Sequence, residues 1–482
     1  MNDNSAVSFN KICGRLCVEV EGYLASPLSI GSGEQEDTDA DVILDASGTP
    51  FIPGSALAGV LRSYSKELGL GKEADQLFGT PEGETLGSGS DRQSRIFCYD
   101  TRLENVVLGI RDGVKLGEHK TPEQGSKYEM QIIERGATFR MRIEIIERKD
   151  CVDRWKSIDQ VWEIEESWIR QWLLGFSVGE LRMGAKTSRG FGKLKIESAR
   201  VKKFNMELRE DYLKWLDWSW EDKDAFKKAE CIDIRSDTEN VNPRTEHVLE
   251  VPLQIPYTLM VRTYSEAFRK GEEIPDYGQL TVGGRGEAAV IPGSSFAGAF
   301  RSHIAKIVKR LAHLQSWEEA QRKLEPFFGT WTDGKKGRED LCSSKVIFEE
   351  VVVNGGHGLP TVRNAIDRFT GGTVEGALFE GRPWVGGTAL LGIRWKKDCG
   401  GQSDEICGML LWAIADLQSG ILPIGGETAV GRGIFCKPNN RLEAKIQLDG
   451  DALDEKKVKD YMQKAALWCK GGKDGRAGNG DV

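Results

Sequence analysis

The stretch Ile52-Pro53-Gly54-Ser55-Ala56-Leu57-Ala58-Gly59-Val60-Leu61-Arg62-Ser63 returns as Ile291-Pro292-Gly293-Ser294-Ser295-Phe296-Ala297-Gly298-Ala299-Phe300-Arg301-Ser302. The two copies lie 292 − 53 = 239 residues apart in a chain of 482. A solenoid unit repeats every 20–50 residues or so. A repeat of half the chain reads instead as one domain present twice. In each copy an apolar residue leads into Pro-Gly-Ser. Pro cannot continue a strand ladder, Gly tolerates unusual backbone angles, and Ser can cap a helix. A small-residue helix ending in Arg-Ser follows. The pattern predicts a strand-to-helix corner with backbone donors at the helix N-terminus.

The composition, 39% hydrophobic and 29% charged, is that of a globular chain with enough apolar material for two or three domains. No run of 18 or more apolar residues predicts a membrane span. Met1-Asn2-Asp3-Asn4-Ser5 has neither the basic nor the apolar region of a secretory signal, so a cytoplasmic location is expected. The ten cysteines form no pair of CxxC knuckles and the five histidines do not cluster. Cys13 and Cys17, four apart in a strand-like stretch, share a face and read as core. A structural zinc site is not expected. A net charge of −8 argues against non-specific duplex binding by the whole surface, so any nucleic-acid contact has to be a local concentration of Lys and Arg.

In the first half, residues 11–24 alternate at Leu16, Val18 and Val20 as a strand does. An acidic loop, Glu34 to Asp41, and a short strand, Val42–Asp45, precede the first corner. Its helix is predicted from about Ser55 to Leu68, and Leu77-Phe78-Gly79-Thr80 closes that unit. Glu82 to Ser90 reads as a flexible loop. Ser94–Asp100 is strand-like. Residues 109–127 are rich in Gly and Lys without periodicity, which predicts an exposed loop or finger. Strands follow at 128–133 and 137–147. A helix from about Glu163 to Val178 carries Ile164, Trp168, Ile169, Trp172, Leu173 and Phe176 on one face. Gly184-Ala-Lys-Thr-Ser-Arg-Gly-Phe-Gly192 and a last strand, 193–197, end the unit.

Residues 206–246 break the pattern, with Trp215, Trp218 and Trp220 among many charges; they predict a connector with one helix, packed on the first half. The second half then replays the order. A strand spans 248–262, and a loop containing Asp276 leads to the second corner. Phe328-Gly-Thr330 repeats Phe78-Gly-Thr80. Arg363-Asn-Ala-Ile-Asp367 stands where Arg111-Asp-Gly-Val114 stood. After an apolar helix at about 406–417, Gly425-Gly-Glu-Thr-Ala-Val-Gly-Arg-Gly433 repeats the first Gly-rich loop. Each half therefore reads strand, helix, strand, strand, helix, strand. The predicted class is α+β: two tandem ferredoxin-like, RRM-like domains with inserted finger loops. The expected division is 1–205, a connector 206–246, 247–452, and a C-terminal helix with a disordered tail over 453–482.

This ordered, doubled set of motifs resembles the RAMP superfamily of CRISPR proteins, and more closely the Cas-seven-type backbone subunit of type III effector complexes. Two such subunits in one chain look like the tandem backbone subunits of type III-D systems. The resemblance implies a subunit that holds CRISPR guide RNA, pairs it with single-stranded target RNA, contacts other effector subunits, and cleaves the target through a loop aspartate. The finger of such proteins inserts between bases and displaces one nucleotide. The family loop runs Asp-x-Pro-Val-Ile-x-Asp before the corner; Asp39-Ala-Asp-Val-Ile-Leu-Asp45 fits it without a gap. That places the catalytic position at Asp39, with Asp41 where the family has Pro, and with Glu36 and Asp37 alongside so that a slip of two residues stays open. Asp276 is the corresponding candidate in the second half.

The RNA-contact residues implied by the resemblance are Ser55, Arg62, Ser294 and Arg301 at the corners, Arg111 and Arg363 at the fingers, and Lys186, Ser188, Arg189 and Arg432 in the Gly-rich loops, where backbone N–H groups come close to phosphate. RNA carries its own nucleophile, the 2′-hydroxyl, so orientation and one carboxylate suffice in principle for cleavage. A divalent metal, Mg²⁺ by family analogy, would be held weakly, with no dedicated protein cage. A non-catalytic RNA-holding scaffold is the rival reading. A guide-processing endonuclease is a third, but no suitably placed histidine supports it.

Overall fold

The computed structural model describes residues 11–33, 38–79, 93–149, 157–222, 224–227, 229–232, 245–263, 277–284, 288–331, 341–440 and 445–471. In the first module the strand β1 (Ile12–Leu24) is central. It pairs antiparallel with β5 (Thr138–Arg148) on one side and β6 (Leu194–Asn205) on the other, and β2 (Ile96–Cys98) pairs with the far edge of β5. The order β2-β5-β1-β6, with helices α1 (Gly54–Glu67) and α2 (Ile158–Val178) on one face, is the ferredoxin-like arrangement. Leu16, Val18 and Val20 meet Leu57 and Leu61 of α1 and Ile169, Trp172, Leu173 and Phe176 of α2 in one buried core. Each such side chain contributes roughly 1.5–3 kcal/mol on burial. The alternate face of the sheet presents Cys17 and Phe204, and the connector closes over them with Trp215, Trp218, Trp220 and Phe226. Among the described residues of the connector one helix, α3 (Arg209–Leu216), is formed.

The second module repeats the arrangement with β7 (Glu246–Gln254), α4 (Gly293–Leu311), β9 (Val346–Phe348), β12 (Thr388–Lys396) and α5 (Ser403–Gln418). Its sheet order is β9-β12-β7, then residues 447–448. Among the described residues the edge beside β7 is held by residues 447–448, with a further bridge from Gln254 to Cys436. Phe296, Phe300, Ile304 and Val308 lie against Trp395, Ile406, Leu410 and Ile414 in the core. A C-terminal helix, α6 (Glu455–Cys469), is capped by Asp454 and packs on α5 so tightly that a Cβ on Gly408 would strike the Tyr461 carbonyl. Among the described residues no helix is long and apolar enough to cross a membrane.

Several expectations need correction. Ser55 does not cap α1: the cap is Pro53 in extended conformation, and the Gly54 N–H donates to Asp100 Oδ1 at 2.7 Å. The glycine is required because a Cβ would strike the Cys98 carbonyl oxygen, as one on Gly293 would strike that of Phe348. The helix α2 begins at Ile158, before the predicted start, because Ser157 accepts from the Gln160 N–H and extends it. Val42–Asp45 forms only isolated bridges, to Gly31 and Pro50.

The fingers are ordered hairpins rather than loops. The first is β3 (Leu108–Leu116) with β4 (Pro122–Ile133); the second is β10 (Thr361–Ile366) with β11 (Thr373–Arg382). The strand β8 (Tyr277–Gln279) pairs in parallel with the base of β11.

Candidate nucleic-acid interface

Asp39 sits on the exposed loop before the first corner. Its N–H donates to the Glu129 carbonyl at 3.1 Å, and its Oδ2 accepts from the Glu129 N–H at 2.8 Å. The loop is thereby pinned to the outer strand of the first finger. Oδ1 has no hydrogen-bond partner among the described residues. The neighbouring carboxylates differ. Asp41 Oδ1 accepts from the N–H and hydroxyl of Thr38, closing the loop on itself, and Asp45 accepts from Ser47 and Thr49 in a turn. Glu36, Asp37 and Asp276 lie outside the described residues.

Tyr128, next to Glu129, lays its ring over Gly113, where a Cβ would collide with it, and stays 37% exposed. Lys186, in left-handed conformation at φ 58°, places its ammonium 4.8 Å from the centre of that ring. Lys186 thus meets the aromatic residue next to the one that holds Asp39. Three residues on, Arg189 reaches the module junction. Here the Gly-rich loop of the first module is pressed against the corner of the second: a Cβ on Gly190 would collide with the Glu350 N–H, and one on Gly293 with the Arg189 carbonyl.

Across that seam stands Arg301 of α4. Its Nε and Nη1 donate to Gln321 and to the Phe328 carbonyl, and Nη2 has no acceptor among the described residues. Burial, with repulsion from Arg189, holds its guanidinium down to about 10, and burial lowers Arg189 as well. A second like-charge approach lies at the tip of the first finger. Burial and then Lys306 of α4 depress Lys120, while Glu118 and Lys309 come within 3.9 Å and Lys115 lies 5.2 Å from the Trp331 ring. In each case one cation comes from the first module and the other from α4.

The other residues singled out from the sequence divide. Ser55, Ser294 and Lys186 are exposed, and Ser188 and Arg189 half-buried. Arg62 is committed to Asp75 at 2.7 Å and to the Gly79 carbonyl. Arg111 is buried; Glu134 holds it at 2.6 Å and Glu350 of the second module stands 3.9 Å away, so its guanidinium ties finger to junction and leaves little surface for a phosphate. Arg363 and Arg432 converge on Glu427, at 2.7 and 2.9 Å. The two Gly-rich loops are not interchangeable: aligned on their glycines, Lys186 corresponds to Glu427, Arg189 to Val430, and Arg432 to Phe191.

The seam itself is ionic. Glu349 meets Arg182 and Arg394 at 2.9 Å and Lys193 at 3.5 Å. Burial would raise its carboxyl, but Lys193, Arg182 and Arg394 together hold it well below the usual range. Glu350 pairs with Arg135 at 2.6 Å, and Glu180 accepts from the Thr245 N–H at 2.7 Å. No group of three or more His, Cys, Asp or Glu side chains among the described residues could hold a metal ion.

Sequence reasoning missed Tyr128, Glu349 and Glu427. Glu427 had a signal, since it reverses the charge of Lys186 at the matching position of the first Gly-rich loop. The partners of Glu349 are distant in sequence and left none.

The family model described as the RAMP superfamily matches residues 23–195 and 279–436. No curated protein matches the chain. Among solved structures, the chain is similar to one in a cryo-EM structure of the type III-B Cmr-beta bound to cognate target RNA. That similarity has 20% identity and a TM-score of 0.29, and it covers 39% of this chain and 61% of that one.

Proposed function

The chain belongs to the RAMP superfamily, and from that premise we propose that it is a guide-RNA-binding backbone subunit of a type III CRISPR effector, of III-D-like tandem form, that cleaves complementary single-stranded target RNA at loop aspartates. The observation that supports the reading is the seam where the Arg189 backbone abuts Gly293, the first residue of the helix that carries Arg301, so that a half-buried arginine of each module lies at one junction. Like charges held together are unfavourable in the protein alone and become favourable when a phosphate lies between them. Lys186, Tyr128 and Asp39 continue the surface. Tyr128 offers a stacking face for a base, and the exposed Phe369, held at the tip of the second finger by the Asp367 turn, offers a wedge.

For cleavage, Asp39 Oδ1 takes the proton of the target's 2′-hydroxyl. The 2′-oxygen attacks the adjacent phosphorus, the bond to the 5′-oxygen breaks, and that oxygen is protonated from water. The products are a 2′,3′-cyclic phosphate and a 5′-hydroxyl. The neighbouring cations stabilise the charge on the phosphorane. No step is assigned to a metal.

In the complex reconstituted with guide and neighbouring subunits, Asp39→Ala removes the cut beside the first module, with a rate loss on the order of 10²–10⁴, and Asp276→Ala removes the second. Persistence of every cut in the double variant overturns the catalytic assignment, and unchanged target binding then identifies a scaffold.

A further inference from the structure

The seam shows how one module seats on another. The end of α2 and the loop after it stand on the outer face of the second sheet. Arg394 donates to the Val178 carbonyl at 2.6 Å, Arg182 donates to Glu349 at 2.9 Å, and Glu180 accepts from the Thr245 N–H at 2.7 Å. Strand register locates the same seat on the first sheet. Ile143 pairs with Val18 and Cys98 as Ile393 pairs with Leu249 and Phe348, so Arg15, Tyr99 and Glu144 correspond to Glu246, Glu349 and Arg394. On the first module this seat is taken by the connector. The Trp215 ring centre lies 4.3 Å from the Arg15 guanidinium, Trp220 meets Tyr99 edge-on at 5.6 Å, and the Trp220 carbonyl accepts from Arg142 at 3.0 Å.

The outer side of the connector is apolar. While Trp215 packs inward, Tyr212, Leu213 and Leu216 of α3 stand three or four residues apart and are exposed. The free end of the second module is apolar as well. Aligned on the glycines of the two Gly-rich loops, the charged residues Glu180, Arg182, Arg189 and Lys193 correspond to Ile421, Pro423, Val430 and Ile434. Ile421 and Val430 are 65% and 62% exposed. Nothing lies within 4 Å of a Cβ on Gly431, whereas one on Gly190 strikes the second module. Exposed apolar side chains scattered singly are ordinary, but clusters of them mark interaction sites. Here two clusters stand at the two open ends of one docking geometry, and both replace the ionic groups of the seam.

We infer that the chain associates with further copies of itself head to tail, the Ile421 and Val430 end of one copy seating on α3 of the next. Repeating the internal docking geometry brings these two surfaces together. Without the connector, Arg15 and Glu144 would face Ile421, and charge would be buried against an apolar side chain. The connector is thus an adaptor that covers a charged seat and offers an apolar one. The contact is heterologous, so it continues from copy to copy and does not close at a dimer.

The test is sedimentation equilibrium of the full chain, free of RNA, over a range of concentrations, with folding checked by thermal melting. The wild-type mean mass rises above the monomer and continues past the dimer as concentration increases. Ile421→Asp with Val430→Asp, and Leu213→Asp with Leu216→Asp, change exposed side chains, melt as the wild type does, and each stay monomeric. Mixed in equal amounts, the two double variants form a 1:1 dimer and nothing larger, because each keeps one intact surface. A wild type that is monomeric at every concentration, a series that stops at the dimer, or a mixture that fails to pair overturns the inference. Loss of association in only one double variant also overturns it, since the contact would then be symmetrical. If the wild type stays monomeric while neighbouring subunits of the reconstituted complex bind it but not Ile421→Asp with Val430→Asp, that end serves another protein and the second-copy assignment falls. The RNA-binding reading is untouched by these outcomes, because no RNA is present.

Discussion

Replacing Gly190 by alanine isolates the docking of the two modules. Gly190 has φ 89° and ends the short 3₁₀ turn of the first Gly-rich loop; Gly431 has φ 84° and ends the same turn in the second. In both, a Cβ costs about 1–2 kcal/mol for the left-handed conformation. At Gly431 that is all, since nothing lies within 4 Å of the added atom. At Gly190 the atom runs into backbone of the other module at Phe348, Glu349 and Glu350, which cannot rotate away. Overpacking of that kind adds about 1–3 kcal/mol. Urea denaturation followed by tryptophan fluorescence should therefore show Gly190→Ala about 1–3 kcal/mol less stable than Gly431→Ala. Gly190→Ala should also weaken RNA binding, because Arg189 no longer faces Arg301. Equal destabilisation by the two substitutions, with RNA binding intact, would refute the docked junction.

Further predictions follow from buried charge. Glu349→Ala leaves Arg182, Lys193 and Arg394 facing one another; with the side chain 23% exposed, a loss of about 2–3 kcal/mol is expected in urea denaturation, shrinking at high salt as the cations are screened. In the first module Arg95 bridges Glu147 at 2.5 Å and Glu165 at 3.0 Å. Burial, with the bond to Glu147, pushes Glu165 well above the usual carboxylate range. The folded state then binds the proton that the unfolded state releases near pH 4.3 or so, and stability falls as pH rises from there towards the raised folded value. Glu165→Gln, which cannot ionise, should gain on wild type steadily over that window; parallel pH profiles would contradict this.

Much of the fold was legible because its signals are local. Alternation at Leu16, Val18 and Val20 and the helical stripe ending at Phe176 each need only one neighbouring layer to explain them. The fingers were legible as insertions but their strand pairing was not, for a physical reason. A hairpin with solvent on both faces has no need to alternate, so Gly113 and Lys115 carry no period, and the ladder rests on backbone bonds. The candidate site was legible in part. The motifs single out Asp39 and Arg189 as candidates, whereas their surroundings depend on a seam between residues far apart in sequence. Arg111 shows the same limit. Its place at the finger base was correct as a position, but its partner Glu350 belongs to the other module. Arg432 looked like a second Arg189 until the glycines set the register.

The central claim is that RNA runs across the module seam past Tyr128, Lys186, Arg189 and Arg301. Ultraviolet cross-linking of the full chain to bound single-stranded RNA, with the modified peptides mapped by mass spectrometry, tests it most directly. The account predicts nucleotides attached at Tyr128 and within residues 184–192. Cross-links confined to the connector and α6, with none at Tyr128 or that loop, would contradict it.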